Sequence, residues 1–303
     1  MISIIICSRT KIINATLSKN IKNTIASPYE LVVIDNSENQ HTIFEAYNQG
    51  IDKSKGNYLC FIHDDILFTT MGWGTNIKQI FSENESIGLI GLAGSKLKTK
   101  MPSAWWWCPN EDKVINIIQH KNHQGNTKEK WSHGFRKDSN ETVVVVDGVF
   151  MAMRSDSRIR FNSEMKGFHN YDLNISIECY KLGYKTVVTN EILLEHFSIG
   201  SLNEQWVESA YQLYLFYKNS LPLSLENNKT DKKQEIANAL SFMGECLKFK
   251  KYKIALVIWV ELLYLNPFLL FHLIYWKNNF KNNMHVLIQY FREKKTKKPK
   301  GNT

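Results

Sequence analysis

The sequence predicts an α/β protein: a mostly parallel sheet covered by helices on both faces, with a helical region appended at the C-terminus. Three observations predict it. Short β-rich runs alternate with helix-period segments through the first half. Aspartates stand where successive strand-like runs end. Beyond about residue 203 the pattern is helical only. At 303 residues the chain exceeds what one core usually fills, so two unequal parts are expected. The polar stretch from Glu226 to Lys233 marks the boundary, giving a region 1–225 and a C-terminal region 226–303.

The elements follow in order. Ser3 to Cys7 reads as the first strand, and Ile13, Leu17, Ile21 and Ile25 recur every four residues on one helix face that stops before Pro28. Leu31 to Ile34 is a second strand ending at Asp35-Asn36-Ser37. A helix burying Phe44, Tyr47 and Ile51 leads through a turn at Lys55-Gly56 to the strand Tyr58 to Ile62, which runs into His63-Asp64-Asp65. A helix with Trp73, Ile77, Ile80 and Phe81 precedes the apolar run Ile87 to Ala93. From Ser95 to Glu141 the chain reads as irregular apart from Val114 to Ile118, and it holds Trp105-Trp106-Trp107, a candidate sugar-stacking wall, membrane-touching loop, lid or packing element. Regular structure returns at Val143 to Gly148 and with a helix opening at Asp172 and closing at Gly183. Strands at Thr186 to Val188 and Ile192 to Leu194 then lead to His196.

Composition narrows the function. The formal charge of +9 is concentrated in the tail from Arg292 to Lys300, with no zinc-finger spacing or RNA-binding aromatic motif, so no nucleic-acid partner is expected. The five cysteines are scattered and the N-terminus runs straight into a strand-like segment, which points to a cytoplasmic protein. Ile254 to Trp276 is apolar but interrupted by Glu261 and Asn266-Pro267, so it reads as two short helices. These helices are expected to pack on the catalytic region, form a homodimer, or touch the inner face of the membrane beside the basic tail. Phosphate-loop, dinucleotide-fingerprint and nucleophile-elbow motifs are absent, which removes the commonest NTPase, dehydrogenase and hydrolase readings.

Ligands of open α/β sheets bind outside the carboxyl ends of the strands, where Asp35, Asp64, Asp65 and Asp147 would converge. Each also suits a turn or helix cap. Adjacent carboxylates such as Asp64 and Asp65 repel unless a cation or hydrogen bonds stabilise them, and such oxygen ligands suit Mg²⁺ or Mn²⁺ bridged to phosphates. His196 joins such a site only if it reaches Asp65, imidazole being more acceptable to Mn²⁺. Asp172 opens a helix, where free N–H groups keep a carboxylate ionised; it reads as a cap or as a general base, or as both.

Taken together, Ile4-Ile5-Ile6-Cys7-Ser8-Arg9, Leu31-Val32-Val33-Ile34-Asp35-Asn36, Ala46-Tyr47-Asn48-Gln49-Gly50-Ile51 and Gly56-Asn57-Tyr58-Leu59-Cys60-Phe61-Ile62-His63-Asp64-Asp65 resemble a family-2 glycosyltransferase. Val146 to Ala152, Phe168 to Leu173 and His196 to Ser201 look more narrowly like its StrF-type, streptomycin-biosynthesis branch. The resemblance covers roughly the first 200 residues. It implies a GT-A (Rossmann-like) fold and a metal-dependent inverting transfer from a nucleotide sugar, a UDP-sugar favoured, to a saccharide or glycolipid hydroxyl in surface polysaccharide biosynthesis. Carried over by position, Ser8, Arg9, Asp35, Asn48 and Asp64 would bind the nucleotide, with Asp35 at the base and Asp64 at the ribose. Asp147 and Gly148 would line the sugar side, Asp65 and His196 would hold Mn²⁺ or Mg²⁺, and Asp172 would be the catalytic base. His63-Asp64-Asp65 replaces the family's Asp-x-Asp, and Tyr171-Asp172 its Glu-Asp. The rival expectations are a sugar nucleotidyltransferase, which would release pyrophosphate, and an inactive carbohydrate-binding protein on the same fold.

Overall fold

The computed structural model describes residues 1–121, 127–136, 139–225 and 230–271, and beyond them only positions 284, 288 and 292. The basic tail and most of the apolar run after Phe271 lie outside the described residues. The first half alternates as expected: β1 (Ile2–Ser8), α1 (Ala15–Thr24), β2 (Tyr29–Asp35), α2 (Ile43–Lys53), β3 (Tyr58–Ile62), β4 (Ile66–Phe68), α3 (Trp73–Glu83) and β5 (Ile87–Gly91). Caps set the helix starts: the Asn14 side chain accepts from Thr16 N, and Thr42 and Glu45 form a reciprocal capping box.

After β5 come β6 (Ala93–Ser95), β7 (Leu97–Lys98), β8 (Lys113–His120), β9 (Lys128–His133), β10 (Asn140–Val143), β11 (Val145–Val146) and β12 (Phe150–Arg154). The segment from Ser95 to Glu141 therefore holds more strand than its composition suggests. Its clearest addition, β9, pairs antiparallel with β8 as a ribbon whose six residues are all exposed, so no buried face imprints alternation on its sequence. The chain continues through α4 (Tyr171–Lys181), β13 (Lys185–Thr189), β14 (Leu194–His196), α5 (Glu204–Tyr217), β15 (Leu223–Ser224), α6 (Lys232–Lys248) and α7 (Tyr252–Leu265). Gly183, with φ +82°, lies just past α4, a conformation that glycine adopts without strain.

The central sheet has the order β10-β13-β5-β12-β3-β1-β2. β1 is parallel to β2 and β3, and β13 to β5, but β12 runs antiparallel between β3 and β5, and β10 antiparallel to β13. The sheet is thus mixed. No crossover helix carries the chain back after β5, so the excursion through β6 to β11 re-enters from the edge it left and β12 must point the other way. Four strands of that excursion, β6, β8, β9 and β11, join β4 and β14 in a second sheet of order β11-β6-β8-β14-β4 with β9 paired to β8, while β10 belongs to the central sheet and β7 pairs with β15. The main core includes Phe44, Tyr47, Phe61, Trp73 and Phe150, each essentially fully buried.

A second core draws from both sides of residue 225: Met101, Ala104 and Trp206 pack with Phe242, Met243, Ile258 and Leu262 of α6 and α7. Polar contacts reinforce it. Buried Glu235 accepts from Lys100 N at 2.8 Å and Met101 N at 2.9 Å, and Asn238 Nδ2 donates to Thr99 Oγ1 and Trp107 O, both at 2.9 Å. No helix among the described residues is long and apolar enough to cross a membrane. Because Asn238 is buried and serves two acceptors, Asn238→Ala is expected to destabilise the protein by about 1–3 kcal/mol in urea titration, without reducing the dependence on urea.

Candidate active site

The register of the parallel strands assembles the outer rim. Ser8 and Asp35 pair directly at the ends of β1 and β2, and Asn36 N donates to Ser8 O at 2.8 Å. Arg9 Nη2 lies 3.6 Å from Asp64 Oδ1, so Ser8, Arg9, Asp35 and Asp64 gather at the carboxyl ends of β1, β2 and β3. Ser37 N donates to Asp35 Oδ1 at 2.9 Å, and this bond holds the half-buried Asp35 carboxyl below its ordinary range.

Further in, β14 pairs antiparallel with β4, with His196 opposite Ile66, and Phe197 N donates to Asp65 O. That register brings His196 beside Asp65. Ligand atoms of His63, Asp65 and His196 all lie within 4.8 Å of one another, with His63 Nδ1 and His196 Nε2 each 3.7 Å from Asp65 Oδ1. Gln119 Nε2 donates to Ser198 O at 2.7 Å, which leaves Gln119 Oε1 to accept from His196 Nδ1 at 3.0 Å. The proton is therefore on Nδ1, and Nε2 lies 3.1 Å from the Ser198 hydroxyl on the side that faces Asp65. Burial and the neighbouring His63 hold His196 below its ordinary pKa, favouring the neutral ring. Burial works against ionisation of Asp65, yet the Ser198 hydroxyl and the two imidazoles outweigh it and keep the carboxyl low.

His63 Nε2 lies 2.7 Å from the Tyr171 hydroxyl; with that oxygen accepting, Nδ1 is left toward Asp65. Tyr171 is the first residue of α4, and its ring packs edge-on against Tyr47 at 5.5 Å. A Cβ on residue 148 would meet the Tyr171 hydroxyl at 2.3 Å, so only glycine permits this approach. Two imidazole nitrogens and one carboxylate with ordered outer partners fit a divalent cation, and nitrogen donors favour Mn²⁺ over Mg²⁺.

Asp147 and Asp172 stand beside this cluster. Asp147 Oδ2 accepts from Trp105 Nε1 at 2.6 Å and Oδ1 from Val149 N at 2.9 Å. Asp172 Oδ2 accepts from Gly148 N at 3.1 Å and Oδ1 from Leu173 N at 2.8 Å. Removal from water, and then the charge of Asp147, push the Asp172 carboxyl well above the ordinary carboxylate range. His63, His196, Asp147, Gly148 and Asp172 all open onto one cleft of about 650 Å³.

A family described as "Glycosyltransferase like family" matches residues 3–230. The chain belongs to this family. A relative from Fuscovulum blasticum, "ATP synthase subunits region ORF 6", is 22% identical over 198 residues, 64% of this chain and 73% of its own. Among solved structures, GalNAc-T7 with UDP, GalNAc and Mn²⁺ is 14% identical over 73% of this chain, with a TM-score of 0.48; the match spans 51%, about half, of that chain. Residues 1–349 of S. aureus TarS in complex with UDP-GlcNAc are 11% identical over 82% of this chain and 73% of that one, with a TM-score of 0.46.

In this glycosyltransferase-like chain the tryptophan triplet divides its roles. Trp105 is buried on Asp147, Trp106 is exposed in the cleft, and Trp107 packs on Trp206 of the second core at 5.4 Å. Asn48 is placed apart from the cleft lining: its amide nitrogen donates to Phe161 O at 2.8 Å and its oxygen accepts from Phe161 N at 3.0 Å, strapping α2 to the segment before α4. The sequence assigns no role to Gln119 or Trp131, and it shows His63 and Tyr171 only as departures, each standing where the resemblance places an acid. Tyr171→Phe, which removes the partner of His63 Nε2, is expected to weaken Mn²⁺ binding roughly 10- to 100-fold in calorimetric titration.

Proposed function

We propose that the protein is a nucleotide-sugar-dependent glycosyltransferase that transfers a hexosyl group with inversion and uses Mn²⁺ in preference to Mg²⁺. One observation carries the reading: His63, His196 and Asp172 line a single cleft, Asp65 lies 3.7 Å from both imidazoles, and Asp64 of the rim with Ser8, Arg9 and Asp35 directly precedes it. The rim would take the nucleoside, UDP first among candidates as the resemblance implies. His63, Asp65 and His196 would hold the cation, whose chemistry is to offset the charge gathering on the departing diphosphate.

Asp172 then acts as the base. Its carboxylate removes the proton of an acceptor hydroxyl as that oxygen attacks the anomeric carbon, while the bond from that carbon to the diphosphate oxygen breaks and its electron pair leaves with the nucleoside diphosphate. Asp147, held by Trp105 and Val149, raises the basicity of Asp172 by its charge. In this reading residues 1–225 are the catalytic region, α6 and α7 of the C-terminal region support it, the acceptor is a saccharide or glycolipid in polysaccharide biosynthesis, and the compartment is the cytoplasm. Within the family we place the chain nearest the StrF-type branch.

The deciding experiment titrates UDP, GDP, dTDP and CDP calorimetrically with and without Mn²⁺, on the native protein and on Asp65→Ala. Manganese-dependent binding of one nucleotide, lost in the variant, is expected; binding of none would sink the proposal, and pyrophosphate release from NTP and sugar phosphate would replace it with nucleotidyl transfer.

Two further outcomes follow from Asp172. The base works only when ionised, and its pKa is raised, so activity is present above that pKa and is lost as pH falls through it, well above the ordinary value of about 4. Asp147→Asn removes the like charge and is expected to move this acid limb to lower pH in a pH–rate profile. A raised carboxyl pKa also costs stability as pH rises from the unfolded value to the folded one. Asp172→Asn is therefore expected to cut turnover roughly 10²- to 10⁴-fold while its thermal midpoint at neutral pH stays level or rises.

A further inference from the structure

We propose that the aromatic side of the cleft is a saccharide-binding subsite in which Trp106 and Trp131 stack on a pyranose ring of the acceptor, with α6 holding the wall from behind. The proposal rests on the glycosyltransferase reading above and names its acceptor chemistry.

Exposed tryptophan and phenylalanine side chains gather at this cleft. Trp106 is 40% exposed, Trp131 42% and Phe168 42%; among the described residues before α5, these are all the tryptophans and phenylalanines left exposed, and all three line this cleft. Scattered exposed aromatics need no explanation, but three converging on one cavity from separate elements mark a binding face. Trp106 comes from the segment after β7, Trp131 from the exposed ribbon β9, and Phe168 from the approach to α4.

The wall that carries Trp106 is anchored on both sides. Trp105 and Trp106 meet edge-on at 5.7 Å, and Trp105 is fixed by its bond to Asp147. On the other side, Trp107 O accepts from Asn238 Nδ2 at 2.9 Å and from Gln234 Nε2 at 3.2 Å, while Glu235 takes the N–H groups of residues 100 and 101. Trp106 thus sits between two anchored neighbours, and its exposure is held at the cleft.

A pyranose offers an apolar C–H face ringed by hydroxyls, which matches indole faces bordered by a few polar groups. Here Lys113, Gln119 and His169 line the same cleft, together with Asp147 and Asp172. An acyl or polyprenyl chain would instead require a lining without those charges. The volume of about 650 Å³ falls within the range, about 300–1,000 Å³, of sites that enclose ligands of several rings.

The test uses the full chain, with UDP and Mn²⁺ present, and four neutral disaccharides as probes: maltose, cellobiose, lactose and chitobiose. Saturation-transfer NMR and tryptophan fluorescence read binding. At least one probe is expected to bind with a dissociation constant on the order of 1 mM. Trp106→Ala and Trp131→Ala should each weaken it roughly tenfold, with Trp106→Phe restoring most of the loss. Asn238→Ala should weaken the same probe and make Trp106 more accessible to acrylamide. UDP binding should be unchanged in all four variants, which also reports that they fold. Binding of a disaccharide that ignores both tryptophans, or UDP binding with no disaccharide binding, overturns the proposal, as does quenching by farnesyl phosphate alone. Failure of UDP binding removes the donor reading separately, and Trp106-dependent disaccharide binding without UDP would still uphold the subsite.

Discussion

The site depends on the wedging of Tyr171 against the backbone of Gly148. That one contact ties three parts of the chain together. The Tyr171 hydroxyl meets His63 at the end of β3, its ring lies on Tyr47 of α2, and the next residue, Asp172, takes the Gly148 amide. A side chain at residue 148 would displace the ring and with it the His63 imidazole. His63 and the candidate base Asp172 are therefore positioned by the same few atoms, although more than a hundred residues separate them in the chain.

Around this wedge, identical side chains are driven in opposite directions by their surroundings. Asp65 sits between two imidazoles and a hydroxyl, and its carboxyl stays low despite burial. Asp172 has two amide donors but also a carboxylate neighbour in Asp147, and burial wins. One aspartate is thereby suited to remain charged beside a cation, the other to exchange a proton near neutral pH. Holding Asp147 and Asp172 together is unfavourable for folding, and the bonds from Trp105, Val149, Gly148 and Leu173 offset part of that cost.

How much of this was legible in the sequence follows from how local each signal is. β1 to β5 and their helices could be read because buried strands and amphipathic helices print their period on neighbouring residues, and Asp35, Asp64 and Asp65 stood at the strand ends. The pairing of His196 with Asp65 could be suspected but not read, since it depends on the register of β14 against β4, more than a hundred residues apart. Trp131 could not be found at all, because it lies on β9, whose six residues are all exposed and whose pattern is nearly free, and Gln119 at the end of β8 carries no local mark of its reach to His196. The antiparallel entry of β12 is likewise a property of connectivity, since Phe150 to Arg154 would look the same in either direction.

The C-terminal helices acquire their place from a deficiency elsewhere. Residues 99–107 carry the tryptophans that reach the cleft, but they have no regular structure with which to satisfy their own backbone, and too few apolar residues to form a core. Glu235, Gln234 and Asn238 supply the missing hydrogen-bond partners, and Phe242, Ile258 and Leu262 supply the apolar surface against which Met101 and Ala104 are buried. An irregular wall of this kind persists only when buried amides and carbonyls find partners, because each one left unmet costs about 1–3 kcal/mol. The helices after residue 230 are thus part of what gives the cleft its shape. The length and chemistry of α6 are constrained by the tryptophan segment as much as by its own fold.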